Sequence, residues 1–212
     1  MTLYVAPIVE GQTEAGCVER LLQRVCTELL AGPVRLQVLA PSRGQRDALT
    51  NPTGTALADK IEEAHAKLRQ RLSRDPTGKG LLLLLLDAEG DPPCQLAPRL
   101  LQTARLARSD ADIACVVARR MFENWIVAGA STLAGVNGLP DALQPPDNPE
   151  DLNGAAWLKQ QLRSRNRKRK YAKTVDAEEF VRQMSLEQCR ARSPSFDKLC
   201  RELASRLPSS EV

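Results

Sequence analysis

The segment LLLLLLDAEGD, residues 81–91, decides the fold class of this 212-residue chain. Leucine favours helices, but six apolar residues between Gly80 and the turn-forming DAEGDPP segment fit a fully buried strand better than a helix. A strand that is apolar at every position is typical of a parallel sheet covered by helices on both faces. We therefore predict an α/β fold.

The segments on either side alternate between strand and helix patterns. The predicted strands are Leu3–Glu10, Val34–Leu39, Leu81–Leu86 and Ile113–Ala118. The predicted helices are 13–29 (with Thr13 as N-cap and a stop at Gly32-Pro33), Ala56–Leu72, Gln95–Arg108 and Met121–Ala130. This order predicts a mostly parallel sheet of about four strands, flanked by helices and joined by right-handed crossovers. The polar segment 41–55 is predicted to be a loop.

The C-terminal third has a different pattern. We predict a α/β domain over residues 1–136, a Pro- and Gly-rich connection over 137–153 and a helical extension over 154–212. The extension has helix patterns at Gly154–Arg165, Ala177–Met184 and Ser195–Leu207. The last five residues, 208–212, are expected to be frayed.

Composition and motifs exclude several classes of protein. The longest unbroken apolar run has six residues, against ~20 for a membrane span, and no secretory signal is visible; no membrane partner is expected. The six cysteines are scattered without a CxxC pair, so we expect reduced thiols in a cytoplasmic protein. The single histidine, His65, lies in a predicted helix, which excludes zinc fingers and any Ser-His-Asp triad without it. Carboxylates must therefore carry any chemistry.

Acidic side chains follow two predicted strands at the point where each strand ends. Glu10 and Glu14 lie in VEGQTE, and Asp87, Glu89 and Asp91 lie in DAEGD. In open α/β sheets ligands bind outside the carboxyl ends of strands, and Asp87 and Glu89 share one side while the chain stays extended. Two unit charges 4 Å apart repel by about 4 kcal/mol at an effective dielectric constant of 20; a divalent cation removes that cost. Oxygen ligands suit one or two Mg²⁺ or Mn²⁺ ions, which promote phosphoryl transfer.

Other interpretations of these acidic residues make different demands. Acidic residues after a buried strand also cap the next helix or solvate a loop, and for DAEGD alone this alternative stays open. A P-loop site would need GxxxxGK[ST], which is absent, and no GxGxxG follows a strand. An EF-hand loop would need glycine where Pro92 stands. The two acidic segments together favour the metal site.

VEGQTE followed by an apolar strand and DAEGD resembles the Toprim fold of topoisomerases, primases and overcoming-lysogenization-defect (OLD) nucleases. The Toprim pattern has a Glu after the first strand and a DxD after a later one. Here these are Glu10 and Asp87-Ala88-Glu89, with glutamate in place of the second aspartate. The segments Phe122–Trp125 (FENW), Tyr171–Lys173 (YAK) and Arg192–Phe196 (RSPSF) are similar to the Toprim-like domain-of-unknown-function family 4276.

The resemblance implies a metal-dependent nuclease in anti-phage defence, often beside an ATPase partner. By the family pattern Glu10, Asp87 and Glu89 are the catalytic metal ligands, with Glu14 and Asp91 as outer ligands.

Two further features are candidates for the same site. Glu123 follows the fourth predicted strand, where it either faces the acidic cluster or begins a helix whose dipole favours an acid; both alternatives stay open. OLD-type sites also use a basic residue near the scissile phosphate, for which Lys173, Lys170 and Arg120 are candidates.

The basic residues are concentrated in one segment. Residues 159–173 carry eight basic side chains and no acidic one; removing these eight from the 30 Lys and Arg leaves 22 against 26 acidic residues, a net charge of −4. Cations without acidic partners repel one another, and phosphate binding compensates. An acidic protein partner and a solvated helix face are the alternatives. The residues expected to bind nucleic acid are Arg165, Arg167, Lys168, Arg169 and Lys170.

The sequence therefore predicts a metal-dependent nucleic-acid phosphodiesterase that acts on DNA or RNA, alone or with an ATPase partner, and a homo-oligomer is one candidate assembly. One alternative is a catalytically degenerate Toprim module that binds nucleic acid or an ATPase and regulates it. Another is a metal-dependent enzyme that acts on nucleotides, which would leave the basic segment without a role.

Overall fold

The computed structural model of the protein describes residues 1–30 and 35–207. Its strands are β1 (Thr2–Val9), β2 (Arg35–Val38), β3 (Ser42–Arg43), β4 (Lys79–Asp87) and β5 (Ile113–Ala118). Its α-helices are α1 (Gln12–Arg24), α2 (Arg46–Thr50), α3 (Ala56–Leu72), α4 (Pro93–Ala107), α5 (Glu123–Ala128), α6 (Gly154–Arg165), α7 (Lys173–Gln183), α8 (Leu186–Arg192) and α9 (Pro194–Ala204). A π-helical turn, Val25–Leu29, continues α1, and 3₁₀ turns lie at Ala130–Thr132 and Val136–Gly138.

The strands form one sheet in the order β2-β1-β4-β5, and β3 pairs with β1 beyond the end of β2. Every pairing among the described strands is parallel. The register pairs Val9 with Leu85 and Asp87 with Ala118. The carboxyl ends of β1, β4 and β5 therefore lie at one edge of the sheet. The predicted α/β fold with a parallel sheet flanked by helices is confirmed, with five strands instead of about four.

The six leucines of β4 divide between two hydrophobic cores. Successive side chains of a strand point to opposite faces, so Leu81, Leu83 and Leu85 join the core that contains α1 and α5–α9. The alternate leucines, 82, 84 and 86, pack with α3 and α4 on the other face. All six are at most 1% exposed, as the uninterrupted apolar run predicts for a strand covered on both faces.

The C-terminal helices pack on the same sheet face as α1, and α7 contacts α1 directly. The preceding connection is tied to α5 by the buried side chain of Asn124. Its Nδ2 donates to the carbonyls of Pro149 and Leu152, and its Oδ1 accepts from the N–H of Gly154. This packing brings α7 to the edge where β1 and β4 end.

Most predicted elements are confirmed, with differences in local detail. Thr13 is not the N-cap of α1: Gly11 is, because the helix starts directly after β1. The predicted loop 41–55 contains β3 and α2, since Ser42 continues the sheet beside Ile8 once β2 has ended. The seven-residue α8 was not predicted, because it is too short for a clear helical period. The Gly32-Pro33 stop, Val34 and residues 208–212 lie outside the described residues.

Two further features of the described residues concern membrane-spanning helices and cysteines. Among the described residues, no helix is both long and apolar enough to cross a membrane. All six cysteines are within the described ranges and unpaired, and Cys94 is exposed while the other five are buried.

Candidate functional site

Two acidic side chains meet where neighbouring strands β1 and β4 end. Glu10 follows the last residue of β1, and its Oε1 accepts a 2.6 Å hydrogen bond from the N–H of Asp87, the last residue of β4. Asp87 in turn accepts a 2.7 Å hydrogen bond at Oδ1 from the N–H of Phe122. Backbone donors from two strand ends therefore hold these carboxylates at the edge of the sheet.

Glu14 lies on the same side, in the first turn of α1. Its side chain is buried, and its Oε2 has no hydrogen-bond partner among the described residues. Gly11 leaves room for it: a Cβ added at Gly11 would overlap Glu14 Oε2 and stand 3.1 Å from its Cδ. The turn between β1 and α1 thus accommodates the Glu14 carboxylate only because residue 11 is glycine.

Glu123 and Lys173 form an ion pair beside these carboxylates, with Glu123 buried and Lys173 partly exposed. Glu123 is the first residue of α5 and is only 1% exposed. Lys173 Nζ, at the start of α7, lies 3.1 Å from Glu123 Oε1 without forming a well-directed hydrogen bond, and neither oxygen of Glu123 has another partner among the described residues. The nearby hydroxyl of Tyr171 is buried and also lacks a partner there. Buried oxygens of this kind cost free energy unless a ligand satisfies them.

Glu89 and Asp91 lie on the exposed side of the site. Glu89 has a φ of 50°, so the chain is no longer extended after Asp87 and the expected shared side of Asp87 and Glu89 does not arise. The Glu89 carboxylate is 3.6 Å from Arg46 Nη1 with its side chain 62% exposed, and Asp91 Oδ2 is 2.5 Å from Arg46 Nη2. The structure brings these two acids to Arg46 rather than into the buried cluster.

Arg46 is a residue of this site that the sequence did not reveal. Besides its contacts with Glu89 and Asp91, it donates to the carbonyls of Asp87 and Ala88 at 3.2 and 2.9 Å. It therefore braces the whole loop after β4. The only sequence signal was an arginine in the polar segment 41–55, whose short helix α2 gave no clear periodicity.

Burial and mutual repulsion shift the protonation of the cluster. Burial, with a further contribution from the Glu14 carboxylate, raises the pKa of Glu10 to about 7 against the opposing hydrogen bond from Asp87. Burial and then the Glu10 charge raise the pKa of Asp87 well above its usual value, and burial also raises the pKa of Glu14. Partial burial lowers the pKa of Lys173, but the surrounding carboxylates, Glu123 first, outweigh it and raise the pKa overall. The acids are poorly stabilised as anions while Lys173 is held as a cation.

The remaining basic candidates differ in their surroundings. Arg120 Nη1 donates to the Asp151 carbonyl at 2.7 Å. Arg165 is 2.9 Å from Asp141, and Arg169 is 2.5 Å from the buried carboxylate of Asp176. Three predicted nucleic-acid-binding residues are exposed and have no ion pair within the described ranges: Arg167, Lys168 and Lys170.

The sequence matches the family described as "Domain of unknown function (DUF4276)" over residues 9–204. This chain belongs to the DUF4276 family. The resemblance to that family, carried by the FENW, YAK and RSPSF segments, is thereby confirmed. The DUF4276 protein is also similar to the solved structure of the C-terminal region of the Burkholderia pseudomallei OLD protein, with 18% identity, 97% of this chain and 98% of that chain covered, and a TM-score of 0.45. No curated protein matches it.

The carboxylate oxygens at the ends of β1 and β4 are donors of the type that a hard divalent cation prefers. Within residues 1–30 and 35–207, no group of three or more His, Cys, Asp or Glu side chains is placed so that it could hold a metal ion. However, the unpartnered oxygens of Glu14 and Glu123 are buried beside Glu10 and Asp87. An all-oxygen set of buried carboxylates is what Mg²⁺ and Mn²⁺ bind, and a cation would compensate both the missing partners and the repulsion.

Proposed function

We propose that this DUF4276 protein is a phosphodiesterase that cleaves nucleic acid with Mg²⁺ or Mn²⁺. The observation that carries the proposal is the buried cluster at the sheet edge, where Glu14 and Glu123 have unpartnered oxygens next to Glu10 and Asp87. A fold does not imply a function, but this cluster and the motif resemblance to Toprim nucleases together support a phosphodiesterase.

The chain's own residues would divide the chemistry between them. Glu10, Asp87 and Glu14, with Glu123, would hold one or two ions; a bound ion would polarise a phosphate oxygen and lower the pKa of the attacking water. Lys173 is a cation beside the cluster and is only half-buried, so it would contact the scissile phosphate and offset its charge. Glu89 and Asp91 lie outside the buried cluster and are paired with Arg46. They would bind an ion only after these ion pairs break.

The wider biology is proposed from the Toprim resemblance and the basic segment. Arg167, Lys168 and Lys170, with Arg165 and Arg169, would bind the substrate backbone. A role in anti-phage defence in the cytoplasm, with an ATPase as partner, follows from the resemblance to OLD nucleases, and assembly as a homo-oligomer is part of the same proposal.

The test is cleavage by the pure protein. Plasmid, single-stranded DNA and tRNA are incubated with Mn²⁺, with Mg²⁺ or with a chelator, and products are separated by electrophoresis. We expect cleavage with either ion and none with the chelator. Cleavage in the chelator would contradict a metal-dependent reaction.

A catalytically degenerate regulator is the second candidate, and the position of Glu89 favours it. The second acid of the DxD pattern is 62% exposed and faces Arg46 rather than Asp87. If the protein binds Mn²⁺ and nucleic acid but cleaves neither DNA nor RNA, alone or with an ATPase partner, the regulatory function is the correct one. Cleavage restored by that ATPase would instead identify a regulated nuclease.

Replacing Gly11 with alanine is expected to weaken Mn²⁺ binding about tenfold or more, because the new Cβ displaces the buried Glu14 carboxylate. Isothermal titration measures the affinity. Gly16→Ala is the matched control: Gly16 is in the same helix with open space around it, so this change should leave the affinity unchanged and stabilise the protein by about 0.5–1 kcal/mol. Equal affinities for the two variants would remove Glu14 from the site.

A further inference from the structure

A groove runs along the side of α6 towards the carboxylate cluster. Its volume is 830 Å³, and its walls are α6 and the segment from Arg167 to Lys173. Ala155 and Ala156 line it at the first turn of α6, and Tyr171 lines it close to the cluster. The groove therefore extends from the first turn of α6 to Lys173, and all of its lining residues lie between positions 155 and 173, distant in sequence from β1 and β4.

The groove has an excess of positive charge that the protein itself does not neutralise. Five of its lining cations form no ion pair within the described part of the chain, and all five are exposed: Lys159, Arg163, Arg167, Lys168 and Lys170. No aspartate or glutamate is among the lining residues. Like charges gathered in one concavity raise the local potential and attract an anion with several charges.

Two other cations of the same segment, Arg165 and Arg169, are already paired with carboxylates of the protein. Arg169 donates to the carboxylate of Asp176, which is 1% exposed and also accepts from Asn137 and from the N–H of Ala172. Arg165 is paired with Asp141 outside the groove lining. Arg169 lines the groove and also holds the loop before α7 in place, whereas its neighbours Lys168 and Lys170 have no ion pair within the described residues.

Lys173 joins the groove to the carboxylate cluster. It lines the groove, and its Nζ is 3.1 Å from Glu123 Oε1. Tyr171 beside it is held by stacking on Phe180, with ring centroids 6.5 Å apart and the ring planes 12° apart. A strand that follows the groove would thus arrive at Lys173, which also contacts the buried carboxylate of Glu123.

We infer that this groove binds the phosphate backbone of one single strand of nucleic acid and delivers it to the carboxylate cluster, with Lys159 and Arg163 as phosphate-binding residues. Only the delivery of the strand to the carboxylate cluster rests on the proposed function; the binding of the strand does not. A volume of 830 Å³ is in the range of small-molecule pockets. A concavity of this volume can enclose a short stretch of one strand, but it is too small to enclose both strands of a duplex.

The size of the effect follows from counterion release. Five backbone contacts on a single strand would give a slope of about −3.5 for the logarithm of the association constant against the logarithm of salt concentration, at about −0.7 for each contact. The double variant Lys159→Gln, Arg163→Gln should flatten the slope by about 1.4 and weaken binding about tenfold or more at low salt. Both side chains are exposed on α6, so the fold should be retained.

The experiment measures binding by fluorescence anisotropy with a chelator present, so that cleavage does not interfere. The probes are a labelled oligodeoxythymidylate and a duplex of the same length. The matched control is Arg69→Gln, Arg71→Gln, which removes the same charge from α3 on the opposite face of the sheet. We expect tighter binding of the single strand, weakened by the α6 variant and not by the control.

Two results would overturn the inference: equal loss of affinity in both double variants, or tighter binding of the duplex. A small diester, bis-p-nitrophenyl phosphate with Mn²⁺, separates this inference from the proposed function. If the wild-type protein binds the strand through Lys159 and Arg163 but does not hydrolyse the diester, the proposed phosphodiesterase activity is contradicted and strand binding in the groove is supported. If the protein hydrolyses the diester but the Lys159→Gln, Arg163→Gln variant binds the strand as tightly as the wild type, only strand binding in the groove is contradicted.

Discussion

Asp87→Asn is expected to lower the rate of metal-dependent cleavage by at least about 100-fold, the usual size of losing one strong electrostatic contact in a transition state. Asparagine has the shape of aspartate, and its amide oxygen can still accept the 2.7 Å hydrogen bond from the N–H of Phe122. The change therefore removes the negative charge and keeps the position of the side chain. Initial rates on plasmid and single-stranded DNA, with saturating Mn²⁺, measure the loss.

Two further variants make this result specific. Glu10→Gln should have an effect of similar size, since its amide oxygen can still accept from the N–H of Asp87. Asp59→Asn is the control, because Asp59 is an exposed residue of α3 on the opposite face of the sheet; it should cleave like the wild type. A folded Asp87→Asn protein that cleaves at the wild-type rate would rule out the carboxylate cluster as the active site.

The metal-free protein is expected to lose stability as the pH rises from about 5 to 8. The usual pKa of a glutamate side chain is 4.5, and in the folded state the pKa of Glu10 is about 7. Between these values the folded protein binds more protons than the unfolded chain, so the free energy of unfolding falls with rising pH. At about 1.4 kcal/mol for each pKa unit, Glu10 alone contributes on the order of 3 kcal/mol. The raised pKa values of Asp87 and Glu14 act in the same direction.

Urea unfolding at several pH values, with a chelator present, measures this loss. Glu10→Gln should be more stable than the wild type at pH 8 and should lose less stability over the range. Burial lowers the pKa of His65, so His65 makes the free energy of unfolding rise with pH below the usual pKa of histidine. Because this contribution is the same in both proteins, comparing Glu10→Gln with the wild type at each pH cancels it.

Mn²⁺ should reverse the destabilisation at high pH. An ion that binds only the folded state at 100 times its Kd adds about 2.7 kcal/mol, and it compensates the charges that the buried carboxylates acquire. A wild-type protein whose stability is flat from pH 5 to 8, and unchanged by Mn²⁺, would contradict both the buried carboxylate cluster and its affinity for metal.

Local patterns were sufficient to predict the sheet and the position of its acidic segments. The six leucines must alternate between two faces, so they require helices on both sides. Parallel strands bring their carboxyl ends to one edge, which is where Glu10 and Asp87 meet. These conclusions depend only on the period of a strand and the direction of neighbouring strands, which a sequence encodes directly.

The surroundings of each acid could not be predicted in the same way. That Glu89 faces Arg46 depends on a backbone φ of 50° at a non-glycine residue and on a five-residue helix without clear periodicity. Arg169 pairs with Asp176, whereas Lys168 and Lys170 beside it have no ion pair within the described residues. A basic segment that looked uniform in the sequence therefore contains both compensated and uncompensated charges.

The sequence by itself therefore determined the α/β fold and the presence of acidic residues at strand ends, because hydrophobic period and strand direction are local properties. Only the tertiary structure decided which charges are compensated. Glu123 and Lys173 are fifty positions apart in the chain and 3.1 Å apart in space, because α5 and α7 pack in one core with α1. Whether a charge is buried, paired or left for a ligand depends on such packing, which no local pattern contains.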